Sequence, residues 1–289
     1  MPELPEVEGV VRQLRPVAEQ KTITHVQLSS TIYTSKEAGK ECIVKVHSPA
    51  DFEYRMTGMT ITRVERRAKY IYMTLTKGDD TYLLASHLGM SGAWFDVAAL
   101  HEIPDAKYEK HAHVILTLNN GRLLVYSDIR RFGELRLLRD VADYPPLLQM
   151  APEPFDENAC QYFIDKTNTK KYSNKPIKAV IMDGHVISGC GNIYATEALY
   201  FERIRPQTKA SALTEAQKRS LFAQIARILQ ESIDAGGSTI SDYRNVNGEA
   251  GGMQHRLKMY GKKVCACGAE TESLQIGGRT SVYCPACQQ

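Results

Sequence analysis

The chain has 289 residues, 43% of them hydrophobic and 24% charged, with a formal net charge of +3. That composition is ordinary for a globular protein and excludes a disordered or fibrous chain, while the length suits more than one domain. No apolar run approaches the roughly 20 residues that cross a bilayer, the start lacks a signal-peptide pattern, and a cytoplasmic protein is expected. The opening "MPELPEVE" places Pro5 at the first turn of a helix, with Glu6 and Glu8 favouring its positive end. Val7, Val10, Val11 and Leu14 fall on one face, and Pro16 is predicted to end the helix. Six alternating stretches then read as strands: "TITHVQLSS", "MTITRVERR", "KYIYMTLT", "TYLLASHLG", "HVILTL" and "RLLVYSDI". "LNNGR", between the last two, carries the Asn-Gly pair of a tight hairpin. These stretches predict an antiparallel sandwich or barrel. The proline-rich "DYPPLLQMAPEPFDEN" breaks the pattern and is the expected boundary. Helical patterns follow in "ENACQYFIDKT", "PIKAVIMDG", "GNIYATEALYFERI" and "LTEAQKRSLFAQIARILQESIDAGG". The last starts with Thr214 and Gln217 at capping-box spacing and stops at Gly236 and Gly237.

Three features carry chemistry. Removal of Met1 would leave Pro2 with a free secondary amine, a nucleophile that titrates near 8 and is partly neutral at physiological pH. Basic residues gather in "RVERRAKY", "KYEKHAH", "DIRRFG", "KTNTKKYSNKPIK" and "LKMYGKK", a distribution that favours a polyanion more than the net charge does. Of seven cysteines, Cys42, Cys160 and Cys190 are scattered, whereas Cys265, Cys267, Cys284 and Cys287 form C-A-C and C-P-A-C pairs separated by sixteen residues. Two close pairs on facing turns suit a tetrahedral metal site, with a metal-free hairpin as the alternative.

"MPELPEVE", "RRAKY", "HLGMSG", "RRFG", "SGCGNIYATEAL" and "GGRTSVYCPACQ", in that order over essentially the full length, resemble the bacterial formamidopyrimidine-DNA glycosylases. The resemblance implies an α+β multidomain chain. Residues 1–145 would form a catalytic domain of N-terminal helix plus antiparallel β-sandwich, 146–260 a helical domain with a DNA-binding helix–two-turn–helix, and 261–289 a terminal zinc-ribbon β-hairpin. It implies removal of 8-oxoguanine and formamidopyrimidines from duplex DNA, followed by strand cleavage at the abasic site, with the target base flipped out of the stack. Damaged double-stranded DNA is the expected partner, and the protein is expected to be a monomer holding one structural zinc ion.

Carried over residue by residue, the resemblance makes Pro2 the nucleophile, Glu3 the acid/base group, and Lys69 a hairpin lysine that contacts phosphate and aids elimination. His111, Arg130 and Asn192 match DNA-binding positions, and Arg279 matches the finger arginine. Met90, Arg130 and Phe132 match the set that fills the void behind the flipped base: methionine in the gap, arginine facing the orphaned base, aromatic wedge between steps. Cys265, Cys267, Cys284 and Cys287 match the zinc ligands. The chain departs from the pattern at Ile129, where proline is usual, and in "GEAGGMQHR", which lacks the Gly-Tyr-Phe of the loop covering the flipped base. Two alternatives stay open: an oxidised-pyrimidine glycosylase of the endonuclease VIII branch, or a catalytically silent DNA-binding relative. Leu4 and the Arg-Arg-Phe loop weigh against the first, and Pro2, Glu3 and Lys69 against the second.

Overall fold

A computed structural model of the chain describes residues 2–238, 246 and 251–289. The chain divides into two compact units, one of residues 1–148 with 236–252 and the other of 149–235 with 253–289. "GEAGGMQHR" begins outside the described residues.

The first unit opens with α1 (Leu4–Ala18), then β1 (Lys21–Leu28), α2 (Ser30–Glu37), α3 (Pro49–Met56), β2 (Thr60–Arg67), β3 (Tyr70–Lys77), β4 (Asp80–His87) and β5 (Gly92–Val97). It continues with α4 (Ala106–Lys110), β6 (Ala112–Leu118), β7 (Leu123–Asp128), β8 (Glu134–Leu138) and α5 (Pro145–Leu148). The strands form an antiparallel sheet in the order β5-β7-β6-β1-β2-β3-β4-β8. β1 serves both halves: Lys21 and Thr22 pair with β2, and beyond Ile23 the strand pairs with β6. Irregular registers at Ile23/His25 and Ile61/Arg63 bend the sheet there, so its two halves enclose one core. Val7, Val10, Val11 and Leu14 of α1 are fully buried in that core with Leu75, Trp94 and Leu116.

Two expectations change. Pro16 does not end α1 but lies inside its last turn. Its missing N–H costs only one bond near the terminus, while Glu19 N–H still closes on Arg15 O at 3.0 Å and Ala18 packs fully buried. Ser29 and Ser30, read as strand, instead cap and begin α2. The Asn-Gly hairpin forms as expected between β6 and β7, with Gly121 at φ +84°.

The second unit contains α6 (Ala159–Asn168), α7 (Ile177–Ile181), α8 (Asn192–Phe201), α9 (Glu215–Asp234), and the hairpin β9 (Glu272–Ile276) and β10 (Arg279–Tyr283). The capping box predicted for α9 is present: Gln217 N–H donates to Thr214 Oγ1 at 3.2 Å, and Thr214 N–H to Gln217 Oε1 at 2.9 Å. Helices α8 and α9 pack on one another, with Tyr194 and Ser232 hydroxyls sharing a 2.6 Å hydrogen bond across the contact. Among the described residues no helix is long and apolar enough to cross a membrane.

Candidate nucleic-acid interface and metal centre

Pro2 and Glu3 precede α1 in a buried extended stretch, Glu3 being 3% exposed. Glu6, 1% exposed, holds that stretch in place. Its Oε2 accepts Glu3 N–H at 2.8 Å, and its Oε1 accepts the N–H of Ser238 at 2.7 Å from the chain that returns after α9. The side chain is thus more than a favourable charge at a helix start. A buried carboxylate needs such donors, and here they tie the stretch before α1 to a segment 232 residues beyond Glu6.

Lys69 sits in the two-residue turn between Arg67 and Tyr70, with Ala68 at φ +52° completing the hairpin geometry. Its charge reaches His87 at the end of β4, beside which the Tyr70 ring lies tilted with ring centres 4.9 Å apart. Burial first, and then Lys69, push the His87 imidazole down to about 4. Nδ1 of this neutral ring accepts Gly89 N–H at 3.2 Å, shaping the turn that presents Met90.

That turn is brought against the loop carrying Arg130 and Phe132. Gly89 has φ +60°, and a Cβ there would stand 2.5 Å from the Phe132 carbonyl carbon, so only glycine permits the approach. Asp128, fully buried, fastens the two segments. Its Oδ1 accepts the Ser91 hydroxyl at 2.6 Å, its Oδ2 accepts Gly133 N–H at 2.7 Å, and Arg130 N–H donates to Ser91 Oγ at 2.8 Å. The loop tip remains in solvent, with Phe132 59% exposed and the Arg130 guanidinium 5.3 Å from its ring centre. His111 caps α4 and accepts Asp128 N–H on its carbonyl oxygen, so it too lies at the root of this loop. Met90, His111, Arg130 and Phe132 therefore share one neighbourhood. Sequence reading passed over Ser91 and Asp128 that assemble it, because neither carries a motif of its own.

In the second unit Asn192 is the first residue of α8, with Gly191 as the cap. Its Nδ2 donates to Thr280 O at 3.2 Å, which places Asn192 beside β10, and its buried Oδ1 has no partner among the described residues. Arg279 begins β10 after the turn Gly277–Gly278, whose φ values of +57° and +72° close a tight hairpin with the guanidinium exposed at its tip. Glu197 of α8, 1% exposed, accepts the N–H groups of Lys258, Met259 and Tyr260 at 2.7, 2.8 and 2.7 Å. It thereby pins the basic "LKMYGKK" segment. Lys178, fully buried, donates to Thr196 Oγ1 at 2.7 Å on the same helix.

The ligand atoms of Cys265, Cys267, Cys284 and Cys287 all lie within 4.8 Å of one another. Cys265 and Cys287 sulfurs are 3.9 Å apart, and those of Cys267 and Cys284 3.7 Å. Tetrahedral thiolates at about 2.3 Å from one ion stand about 3.8 Å apart, so the four fit a metal. The short C-A-C pair reaches this geometry because Gly268 takes φ +88° and returns its N–H to Cys265 O at 2.9 Å. Burial raises the Cys265 thiol, but hydrogen bonds from Cys267 N–H and the Tyr200 hydroxyl bring it down to about 6. The C-terminal end is pinned as well, Gln288 accepting Cys284 N–H at 2.8 Å and donating to Ile204 O at 2.7 Å.

Residues 1–135 match the model of the formamidopyrimidine-DNA glycosylase N-terminal domain, and residues 150–244 that of the formamidopyrimidine-DNA glycosylase H2TH domain. The chain is 39% identical over 293 residues to the formamidopyrimidine-DNA glycosylase of Thioalkalivibrio sulfidiphilus, covering 100% of both. It superposes on the crystal structure of the MutM (Fpg) protein of Thermus thermophilus with a TM-score of 0.82 at 34% identity, covering 99% of this chain and 98% of that one. It also superposes, with a TM-score of 0.82 at 32% identity and 100% coverage of each, on a Lactococcus lactis Fpg variant in complex with Fapy-dG containing DNA.

Proposed function

The chain belongs to the formamidopyrimidine-DNA glycosylase family, and from that premise we propose how its residues carry out the family's reaction. It is a base-excision repair glycosylase and abasic-site lyase acting on oxidised purines in DNA. The amine of Pro2 attacks the sugar carbon that bears the damaged base. The carbon–nitrogen bond to the base breaks, and its electron pair leaves with the base. Glu3 protonates the ring oxygen as the sugar opens, giving an iminium whose adjacent carbon loses a proton. The electrons released expel the 3′-phosphate. Lys69 contacts the phosphate being eliminated, and its position in a rigid two-residue turn near the charge-excluded His87 supports that role.

Met90, Arg130 and Phe132 fill the gap left by the flipped base. The observation that carries this reading is the Asp128 and Ser91 clamp, which joins the Met90 turn to the Phe132 loop while leaving both tip residues of that loop exposed. His111, Asn192 and Arg279 hold the backbone, and Cys265, Cys267, Cys284 and Cys287 bind one zinc ion that keeps the Arg279 hairpin in shape. We assign the domains as 1–145, 146–260 and 261–289.

Borohydride added to the protein on abasic-site DNA should trap a covalent complex. A tag retained on the N-terminus should abolish trapping, and robust trapping with Pro2 blocked would move the nucleophile to a lysine. Duplexes with 8-oxoguanine or formamidopyrimidine opposite cytosine should be cut faster than those with oxidised pyrimidines; equal or reversed rates would favour the endonuclease VIII branch.

A further inference from the structure

Within the first unit lies an open concavity of about 250 Å³, bounded on one side by Arg130 and Phe132, whose other walls none of the roles above uses. Ile32 and Ile43, each 1% exposed, form its floor. His113 forms a wall and offers no free nitrogen, since Nδ1 meets Ser29 Oγ at 2.9 Å and Nε2 meets Asp128 O at 3.2 Å. Thr31 and Ser35 of α2 place hydroxyl groups on one side, and Lys40, Arg130 and Arg131 place cations on the others. The one carboxylate on the rim among the described residues, Glu41, is engaged by Lys45 Nζ at 2.7 Å. Lys40 and Arg131 are exposed and, among the described residues, pair with no acid. Arg131 moreover takes φ +56°, a conformation that a non-glycine residue holds at a cost and that recurs at ligand clamps. The Asp128 bonds to either side of it, at Gly133 N–H and through Ser91 to Arg130 N–H, maintain it.

We propose that this concavity is an anchoring site for a backbone phosphodiester of the strand that carries the orphaned base. The proposal rests on the reading of Arg130 and Phe132 as void-filling residues, because that reading brings the opposite strand past this rim. Two unpaired cations and two hydroxyl donors around a concave surface match a phosphate's charge and acceptor oxygens, and a guanidinium can meet two of those oxygens at once. The site fixes the opposite strand while Arg130 reads its base, so α2 and the segment after it become part of the DNA-binding surface.

The test uses the full chain and a duplex with a stable abasic analogue opposite cytosine, with affinity measured over a salt series. Lys40→Gln and Arg131→Gln should each weaken binding about tenfold at low salt, the loss of one charge-assisted contact. The double variant should flatten the slope of log affinity against log salt by about 0.9, one phosphate contact. Single methylphosphonates along the opposite strand should reveal one position near the orphaned base that weakens the wild type and has no effect on the double variant. An unchanged salt slope, or no position silenced in the double variant, overturns the proposal. So does inorganic phosphate that stabilises the wild type alone against unfolding at constant ionic strength without competing with DNA, which would assign the site to free phosphate. Phe132→Ala is measured in parallel: binding and trapping equal to wild type would mean that the void-filling reading, and not the phosphate site by itself, has failed.

Discussion

Replacing Gly89 by alanine tests whether the Met90 turn and the Phe132 loop are built as one device. At φ +60° an alanine pays about 1–2 kcal/mol for the left-handed conformation. Its Cβ would also stand 2.5 Å from the Phe132 carbonyl carbon and 2.6 Å from Gly133 N. These are backbone atoms, which cannot rotate away, so relieving the overlap adds about 1–3 kcal/mol. Gly121→Ala supplies the control. It has φ +84° with nothing within 4 Å of the added Cβ, and should cost only the conformational part. Urea unfolding should therefore separate the two variants by about 1–3 kcal/mol at a common slope. Gly89→Ala should also lose affinity for abasic-analogue duplex, because the Phe132 loop must shift, while Gly121→Ala binds normally. Equal stability of the two variants would refute the close approach. A destabilised Gly89→Ala that binds and excises as wild type would refute the link between this packing and the wedge.

Purified protein should contain about one zinc per chain by elemental analysis; Cys284→Ser should lose metal and DNA binding together, and Arg279→Ala should weaken DNA binding and cleavage with the metal retained. Metal-free protein with full activity would show that packing alone holds the hairpin. For His87, the unfolded ring titrates near 6.5 and the folded ring near 4, so the unfolded state binds the extra proton between these values and stability falls as pH drops from about 6.5 to about 4, by about 3 kcal/mol. His87→Asn, whose side-chain oxygen can still accept Gly89 N–H, should flatten that part of the profile, and an unaltered profile would show that other groups carry it.

What the sequence by itself determined are features whose partners lie within a few residues. Asn120-Gly121 specifies the β6–β7 hairpin because glycine tolerates the backbone that a tight turn demands, and Thr214 with Gln217 caps α9 through bonds spanning three residues. The cysteine pairs likewise announce a cluster, since each brings two sulfurs near one another locally. Only the tertiary structure decided what the buried polar groups do. Glu6 looks like a helix-start charge until Ser238, far along the chain, supplies its second donor. Asp128 becomes the clamp of the Phe132 loop only when Ser91 is packed against it, and Glu197 anchors the 258–260 segment only once α8 is in place. The concavity beneath Arg131 could not be read either, because its walls come from α2, the 40–43 segment, β6 and the loop after β7. The physical reason is one of range. Backbone propensity and capping act over about one helical turn or one hairpin, whereas a buried carboxylate must take whichever donors the folded core brings within hydrogen-bond reach.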